Sequence, residues 1–270
     1  MNEEEVKKLQ EPFSLTEIWA AVDSSEDNKA SGIDGLPAEL YRKLWPKIKL
    51  SLQAVLNELR EAGALPKSMR EGSITLIPKP GDKSMITNWR PITLLCSDYK
   101  IFSKCLTQRM KPIMMRVINP NQTGGMSGRT INDNLASCRN VVLDLCVDGE
   151  TKRETAILAI DFEKAFDRLN RAYLYAVMGR LGFSSAFVKT ISSLYEGAVS
   201  KVALNGCHTG DIALQSGVKQ GCPLSPYLFI LYVEPLMLQL QKHLEGVRIG
   251  EARLKVSGFI DDLGVRPRRH

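Results

Sequence analysis

The sequence predicts an α+β fold. Two patterns point to it: apolar residues recur at helical spacing in several long segments, and short β-prone apolar runs close on Gly, Pro or Asp. A third observation bounds the size: 270 residues at 44% apolar composition can bury a sizeable core, in one large domain or two smaller ones.

The first helix is announced by Ser14 with Glu17 three residues on, a capping box flanked by Phe13 and Ile18 as a hydrophobic staple, and it should end near Asp23. SSEDNKASGIDG reads as an exposed loop, and a second helical region opens at Pro37. Pro46 is expected to restart it, with Leu52, Val55, Leu56 and Leu59 forming a core face as far as Gly63. GSITLIPKPGD is a short strand closed by Pro78, Pro80 and Gly81, and NWRPITLLCSDYKIFSKCLTQRMKPIM is a strand or loop leading into an amphipathic helix. NQTGGMSGRT is loose and glycine-rich, and NDNLASCRNVVLDLCVDG is a helix ending at Gly149. TAILAI then reads as a strand, followed by helices over about Asn170 to Leu181 and Ser184 to Tyr195. SKVALNG and DIALQS form a hairpin around Gly206 to Gly210, a long apolar helix follows Pro223, and RIGEARLKVSGFI supplies the last strand.

The chain is basic, with formal net charge +6 and pI near 9.0, which suits a polyanionic partner. Its charge is concentrated. Arg60 to Arg116 holds eleven Lys or Arg against four acids, the balance expected of a phosphate-reading surface; scattered solvated charge would look the same. Six cysteines without a C-x-x-C pair, and three histidines away from zinc-ligand spacing, point to a reduced intracellular protein, nuclear or cytoplasmic. MNEEEVKKLQ lacks the apolar core of a signal peptide, and Glu234 and Pro235 interrupt the longest apolar run, so no membrane span is expected.

The most informative acids are Asp161, after Ile157 to Ile160, and the pair Asp261-Asp262, after Val256 to Ile260. Each follows a run that reads as a buried strand, so three carboxylates can converge where strands meet solvent. Hard divalent cations take oxygen ligands, and two ions about 3.5–4 Å apart can clamp both oxygens of a phosphoryl transfer. A solvated turn is the competing reading of an Asp-Asp pair.

Five motifs in order, SGIDGLPAELY, LIPKPGD with NWRPITLLCSDYKIFSKCL, LAIDFEKAFDRL, GVKQGCPLSPYLFILY and GFIDD, resemble the reverse transcriptases of non-LTR (LINE-type) retrotransposons, from about Ser31 to Val265. The resemblance implies a right-hand polymerase: an N-terminal helical extension and fingers over 1–154, and an incomplete palm with a ferredoxin-like sheet over 155–270. It implies an RNA-directed DNA polymerase acting on RNA template, DNA primer and dNTPs, with two Mg²⁺ ions, or Mn²⁺ in their stead, held at Asp161, Asp261 and Asp262. Asp161 and Asp261 are the direct ligands and Asp262 the less certain one, since it can equally shape the turn.

The same resemblance assigns the substrate residues. Phe166 stands where an aromatic ring collides with a ribose 2′-hydroxyl; packing of the palm is its plain alternative. Lys79 and Arg90 match the fingers residues that meet the triphosphate, where cations neutralise charge building on the leaving pyrophosphate. Gln220 and Gly221 match the loop that contacts nucleotide and template base, glycine permitting close backbone approach. Arg129, in a segment that faces the template, is the expected phosphate contact. Ile260 replaces the small residue usual before the paired aspartates, and Gly125 the aromatic residue usual after Gly124. The chain stops soon after Asp262, so a C-terminally truncated palm without a thumb is expected. Two other classes stay open: a non-catalytic nucleic-acid-binding remnant, and another palm enzyme such as a nucleotide cyclase, against which Gln220-Gly221 and the fingers motifs argue.

Overall fold

The computed structural model describes residues 1–147, 157–249 and 252–265. In chain order its helices are α1 (Glu3–Gln10), α2 (Leu15–Asp23), α3 (Ala38–Ala62), α4 (Lys67–Arg70), α5 (Ser97–Val117), α6 (Ile131–Val147), α7 (Ala165–Arg168), α8 (Arg171–Arg180), α9 (Ser185–Ser193) and α10 (Ser225–His243). The strands are β1 (Glu71–Pro78), β2 (Trp89–Leu94), β3 (Leu158–Ile160), β4 (Val199–Leu204), β5 (Cys207–His208), β6 (Ile212–Ala213), β7 (Val247–Ile249), β8 (Ala252–Leu254), β9 (Val256–Phe259) and β10 (Asp262–Val265). The expected end of α6 at Gly149, and the start of TAILAI, lie outside the described residues. No helix among the described residues is long and apolar enough to cross a membrane.

The chain divides into two compact units, Met1–Met110 with Phe166–Ser225, and Lys111–Ala165 with Pro226–His270. Both are discontinuous in sequence.

In the first unit, the capping box at Ser14 forms as its sequence dictates: Ser14 Oγ accepts the Glu17 N–H, and Glu17 Oε2 accepts the Ser14 N–H at 2.9 Å. Phe13 and Ile18 are fully buried. An earlier helix, α1, also forms on a capping box, between Asn2 and Glu5, ahead of the helix expected to be the first. Pro46 does not restart α3, which runs through it for 25 residues. Just before it, the Trp45 ring centre lies 5.1 Å from that of Trp19 of α2. Only Leu56 and Leu59 of the expected apolar face are buried; Val55 is 46% exposed. Gly63 ends the helix in the left-handed region at φ 65°.

The sheet of this unit runs β2-β1-β4-β5, with β6 also paired to β4. β1 and β2 form an antiparallel hairpin, whereas β1 and β4 are parallel. Asn205-Gly206, both at positive φ, turns β4 into β5 as an Asn-Gly pair should. Helices α8 and α9 start on Asn170 and Ser184, each side chain accepting a backbone N–H of the first turn.

One member of the basic stretch is spoken for. Arg109 is buried, donates to both oxygens of Glu17 at 2.7 and 3.0 Å, donates to the carbonyls of Leu9, Glu11 and Pro12, and lies over the Phe13 ring. Burial works against the Glu17 carboxylate, yet hydrogen bonds from Arg109 and Ser14 outweigh it and hold the group below its ordinary range. Arg109 therefore ties α1 and α2 to α5 and has no donor to spare for a phosphate.

In the second unit the sheet is β3-β10-β9, antiparallel throughout, with β7 and β8 as a separate antiparallel pair. The segment expected as one last strand is thus several. Its end folds back at Ile260-Asp261, so that Asp262 begins β10 rather than following the final strand.

Candidate active site

The register of the second unit's sheet decides where the acids stand. Leu263 pairs with Ile160 and Gly264 with Ala159, so one further step along the antiparallel ladder sets Asp262 opposite Asp161. Directly opposed residues share a face. Asp261 occupies the two-residue turn between β9 and β10, beside both. It is half-buried, whereas Asp161 and Asp262 are exposed. Burial pushes the Asp261 carboxyl above its ordinary range, and the charges of Asp262 and Asp161 push it the same way, so the three groups share one electrostatic site.

A two-residue hairpin turn needs positive φ at its first position, normally met by glycine, and Ile260 meets it at φ 58°. For a β-branched residue this is a strained conformation. The strained residue directly precedes Asp261.

The oxygen-only donor set suits a hard divalent cation. Among the described residues, the acids, cysteines and histidines whose ligand atoms all lie within 4.8 Å of one another are instead Asp34, Cys96 and Asp98, in the first unit. That group is a poor metal centre on chemical grounds. Burial pushes the Cys96 thiol up to about 11 and raises the Asp98 carboxyl, so neither favours its ligating, ionised form.

The expected substrate residues gather in the first unit. Lys79 follows β1, its N–H donating to Asn88 O at 2.8 Å across the hairpin tip and its Nζ to Thr87 O at 3.3 Å. Arg90 pairs with Ile77 on the facing strand and is exposed, so both cations stand at the same tip. Phe166 opens the first unit's second segment, and its carbonyl accepts the Val218 N–H at 2.8 Å. Gln220 and Gly221 lie on the same loop as Val218, docked on β2 where Thr93 N–H donates to Gln220 O at 3.1 Å. A Cβ on Gly221 would stand 2.7 Å from Thr93 O, and φ is 105°, so glycine is required there.

Two residues that sequence reasoning missed hold this loop. Arg171 donates to the carbonyls of Leu214, Ser216 and Gly217 at 2.9, 2.8 and 2.8 Å. Lys219 is 3% exposed, with its ammonium 4.3 Å from the centre of the Tyr99 ring and no hydrogen-bond partner. A cleft of about 430 Å³ opens beside the loop, lined by Pro91, Thr93, Asp167, Arg171, Lys219 and Gln220 among others.

Arg129 belongs to the second unit. Its guanidinium donates to Asn119 O and Gln122 O, both at 2.8 Å, and to Met115 O at 3.3 Å. These bonds organise the glycine-rich segment from within.

Residues 77–266 match the family described as reverse transcriptase (RNA-dependent DNA polymerase), and the chain belongs to that family. The match encloses every site residue named above from the motifs. The chain is 36% identical over 265 residues to the transposon TX1 uncharacterized 149 kDa protein of Xenopus laevis, covering 97% of this chain and 20% of that protein. It is 28% identical to a Pol polyprotein from the retrotransposable element R2 of Popillia japonica, covering 93% of this chain and 34% of the other. With the RNA-directed DNA polymerase from the mobile element jockey of Drosophila funebris it shares 27% identity, over 94% and 27% of the two chains. The motif-based resemblance to non-LTR retrotransposon reverse transcriptases therefore holds, and the chain spans a fifth to a third of the length of these relatives. An apo telomerase from Candida tropicalis, truncated from its C-terminal domain, shares the fold with TM-score 0.51 and 16% identity, over 80% of this chain and 49% of the other. Reverse transcriptases generally use divalent metal ions.

Proposed function

We propose that this chain carries the nucleotidyl-transfer residues of an RNA-directed DNA polymerase, adding dNTPs to a primer 3′-hydroxyl on an RNA template. The observation that carries the reading is the antiparallel pairing of Leu263 with Ile160, the residues next to Asp262 and Asp161, with Asp261 on the turn between β9 and β10. Asp161 and Asp261 would hold Mg²⁺ directly, with Asp262 beside them. Ions held there would supply Lewis-acid activation of the primer oxygen and neutralise charge on the leaving pyrophosphate.

The remaining roles fall to the chain's own residues. Lys79 and Arg90 bind and neutralise the triphosphate. Phe166 excludes the ribose 2′-hydroxyl, and Gln220 with Gly221 contacts the nucleotide and template base. Arg129 meets a template phosphate through the Nε and Nη2 hydrogens that its three carbonyl bonds leave over, while those bonds shape the loop. The fingers are assigned to 1–154 and the palm to 155–270 as functional regions. The basic stretch from Arg60 to Arg116, less Arg109, supplies the salt-sensitive affinity for nucleic acid.

Asp161→Asn and Asp261→Asn are expected to reduce Mg²⁺-dependent primer extension at least a thousandfold, and to leave the circular dichroism spectrum unchanged. The assay uses an RNA template, a DNA primer and the four dNTPs. Near-normal extension by either variant would remove the catalytic assignment. Salt-sensitive template binding that survives with no extension by the unmodified chain would favour a non-catalytic remnant.

A further inference from the structure

We propose that Gln122 is a positioning residue that clamps the Ile260-Asp261 turn in its strained conformation and so fixes the metal-binding carboxylates. The inference rests on the metal-site reading above and extends it to a residue with no charge.

Gln122 is 1% exposed, at the start of the glycine-rich segment. Its Oε1 accepts the Ile260 N–H at 2.9 Å and the Gly124 N–H at 3.1 Å, and its Nε2 donates to Ile260 O at 3.3 Å. One side chain thus takes both backbone groups of the strained residue, as a neighbouring strand would. Exchanging the amide oxygen and nitrogen would set an N–H against two N–H donors, so the bonding fixes the orientation.

The surroundings are built to fit this carboxamide. A Cβ on Gly124 would stand 2.4 Å from Ile260 N, and one on Gly258 would stand 2.8 Å from Gln122 Nε2. Either methyl would displace the clamp, which gives both glycines a steric reason. The backbone of the same segment is locked in turn. Thr123 N–H donates to Gly258 O and Gly258 N–H to Asn121 O, both at 2.9 Å, making a short parallel bridge onto β9. Asn134 Nδ2 adds a bond to Gly258 O at 2.9 Å, and Arg129 holds Gln122 O. Buried polar networks with every member satisfied specify one geometry, and displacing a catalytic group by about 1 Å can cost about a hundredfold in rate.

The clamp is needed because Ile260 resists positive φ, and that dependence supplies the test. Mn²⁺ binding to the 270-residue chain, read by electron paramagnetic resonance of the free ion, is compared in four proteins. Gln122→Met should weaken Mn²⁺ binding about tenfold with the helical signal intact, whereas Ile260→Gly, relaxed at positive φ, should change it less than threefold. The double variant should recover most of the affinity, since glycine needs no clamp; a residue that merely filled the core would show no such rescue. Asp161→Asn is the reference. Normal Mn²⁺ binding by Gln122→Met, with weakened binding by Asp161→Asn, overturns the clamp and leaves the metal site standing. Normal binding by both overturns the metal site and the clamp with it. Where Gln122→Met does not fold, amide exchange in the unmodified chain decides: protection of the Ile260 and Gly124 amides supports the clamp, and exchange at unprotected rates overturns it.

Discussion

Each of the two units contains an irregular loop next to a buried ionisable group, and the two groups have opposite chemistry. In the second unit Glu234, 1% exposed on α10, accepts the Asn119 N–H at 2.9 Å through Oε1, while Oε2 has no partner. Burial raises its carboxyl to about 7, against the pull of that hydrogen bond and of Arg129. In the first unit Lys219 is pushed down to about 8 by burial, with the nearby Arg171 charge adding to the fall. Asn119 anchors the segment of Gln122; Lys219 precedes Gln220. A loop can therefore be fixed by a neutral amide whose bonds are complete, or by a cation against a ring face, and in the second case the fixing group itself titrates. Glu234, beside the second unit's loop, adds a titration of the reverse sign.

The largest effect on this comparison should come from the residue that holds the first unit's loop through its backbone. Arg171→Met removes three charge-assisted bonds to carbonyls and the contact over Tyr195, and should destabilise the first unit by about 3 kcal/mol or more. Urea unfolding followed by tryptophan fluorescence, all of whose reporters (Trp19, Trp45 and Trp89) lie in that unit, would measure it. A change under 1 kcal/mol would mean the loop is held by its neighbours instead.

Next in size is Glu234→Gln. A carboxyl whose folded value lies near 7, above its ordinary 4.5, binds more protons in the folded state, so its contribution to stability is lost as pH rises from about 4.5 to 7. At about 1.4 kcal/mol per pKa unit, this group alone makes the second unit less stable by on the order of 3 kcal/mol at pH 8 than at pH 4. Glu234→Gln should remove that slope, and amide exchange of β9 and β10 across pH, corrected for intrinsic rates, would reveal it. An unchanged slope would show that the carboxyl is solvated.

The smallest effect is expected from Lys219→Met. A lysine depressed to about 8 binds fewer protons folded than unfolded between about 8 and 10.5, so stability from this group rises across that window. The Tyr99 face offsets about 1–2 kcal/mol of the burial cost. The substitution should therefore stabilise the first unit by only about 1–2 kcal/mol at pH 7 and flatten its rise above pH 8. Destabilisation at pH 7 would mean the cation–ring contact outweighs desolvation, and would bring the two loops closer in character than their burial implies.

Much of the local structure was legible from residues alone, because its causes lie within a few positions. Ser14 with Glu17, Asn170, Ser184, Gly63 and Asn205-Gly206 each satisfy or redirect neighbouring backbone groups, and each does so where its type predicts. The same grammar stands at Asn2 and Glu5, which cap α1. The motifs located the candidate acids and substrate residues, since short polar residues after apolar runs and glycines at close approaches are local signals as well.

What only the tertiary structure decided involves partners far apart in the chain. Ile260-Asp261 has no turn signature, and its hairpin is completed by Gln122, 138 residues away. Arg109 looks like one more cation in a basic stretch until Glu17, 92 residues earlier, takes its guanidinium. Lys219 and Glu234 carry ordinary charges in a sequence, and only burial shifts them. Sequence determines which groups are present and how each prefers to bend its own backbone. Desolvation, strain and the satisfaction of buried polar groups depend on what the fold brings against them, which is why the acids could be found in the sequence and the distant partner of their turn could not.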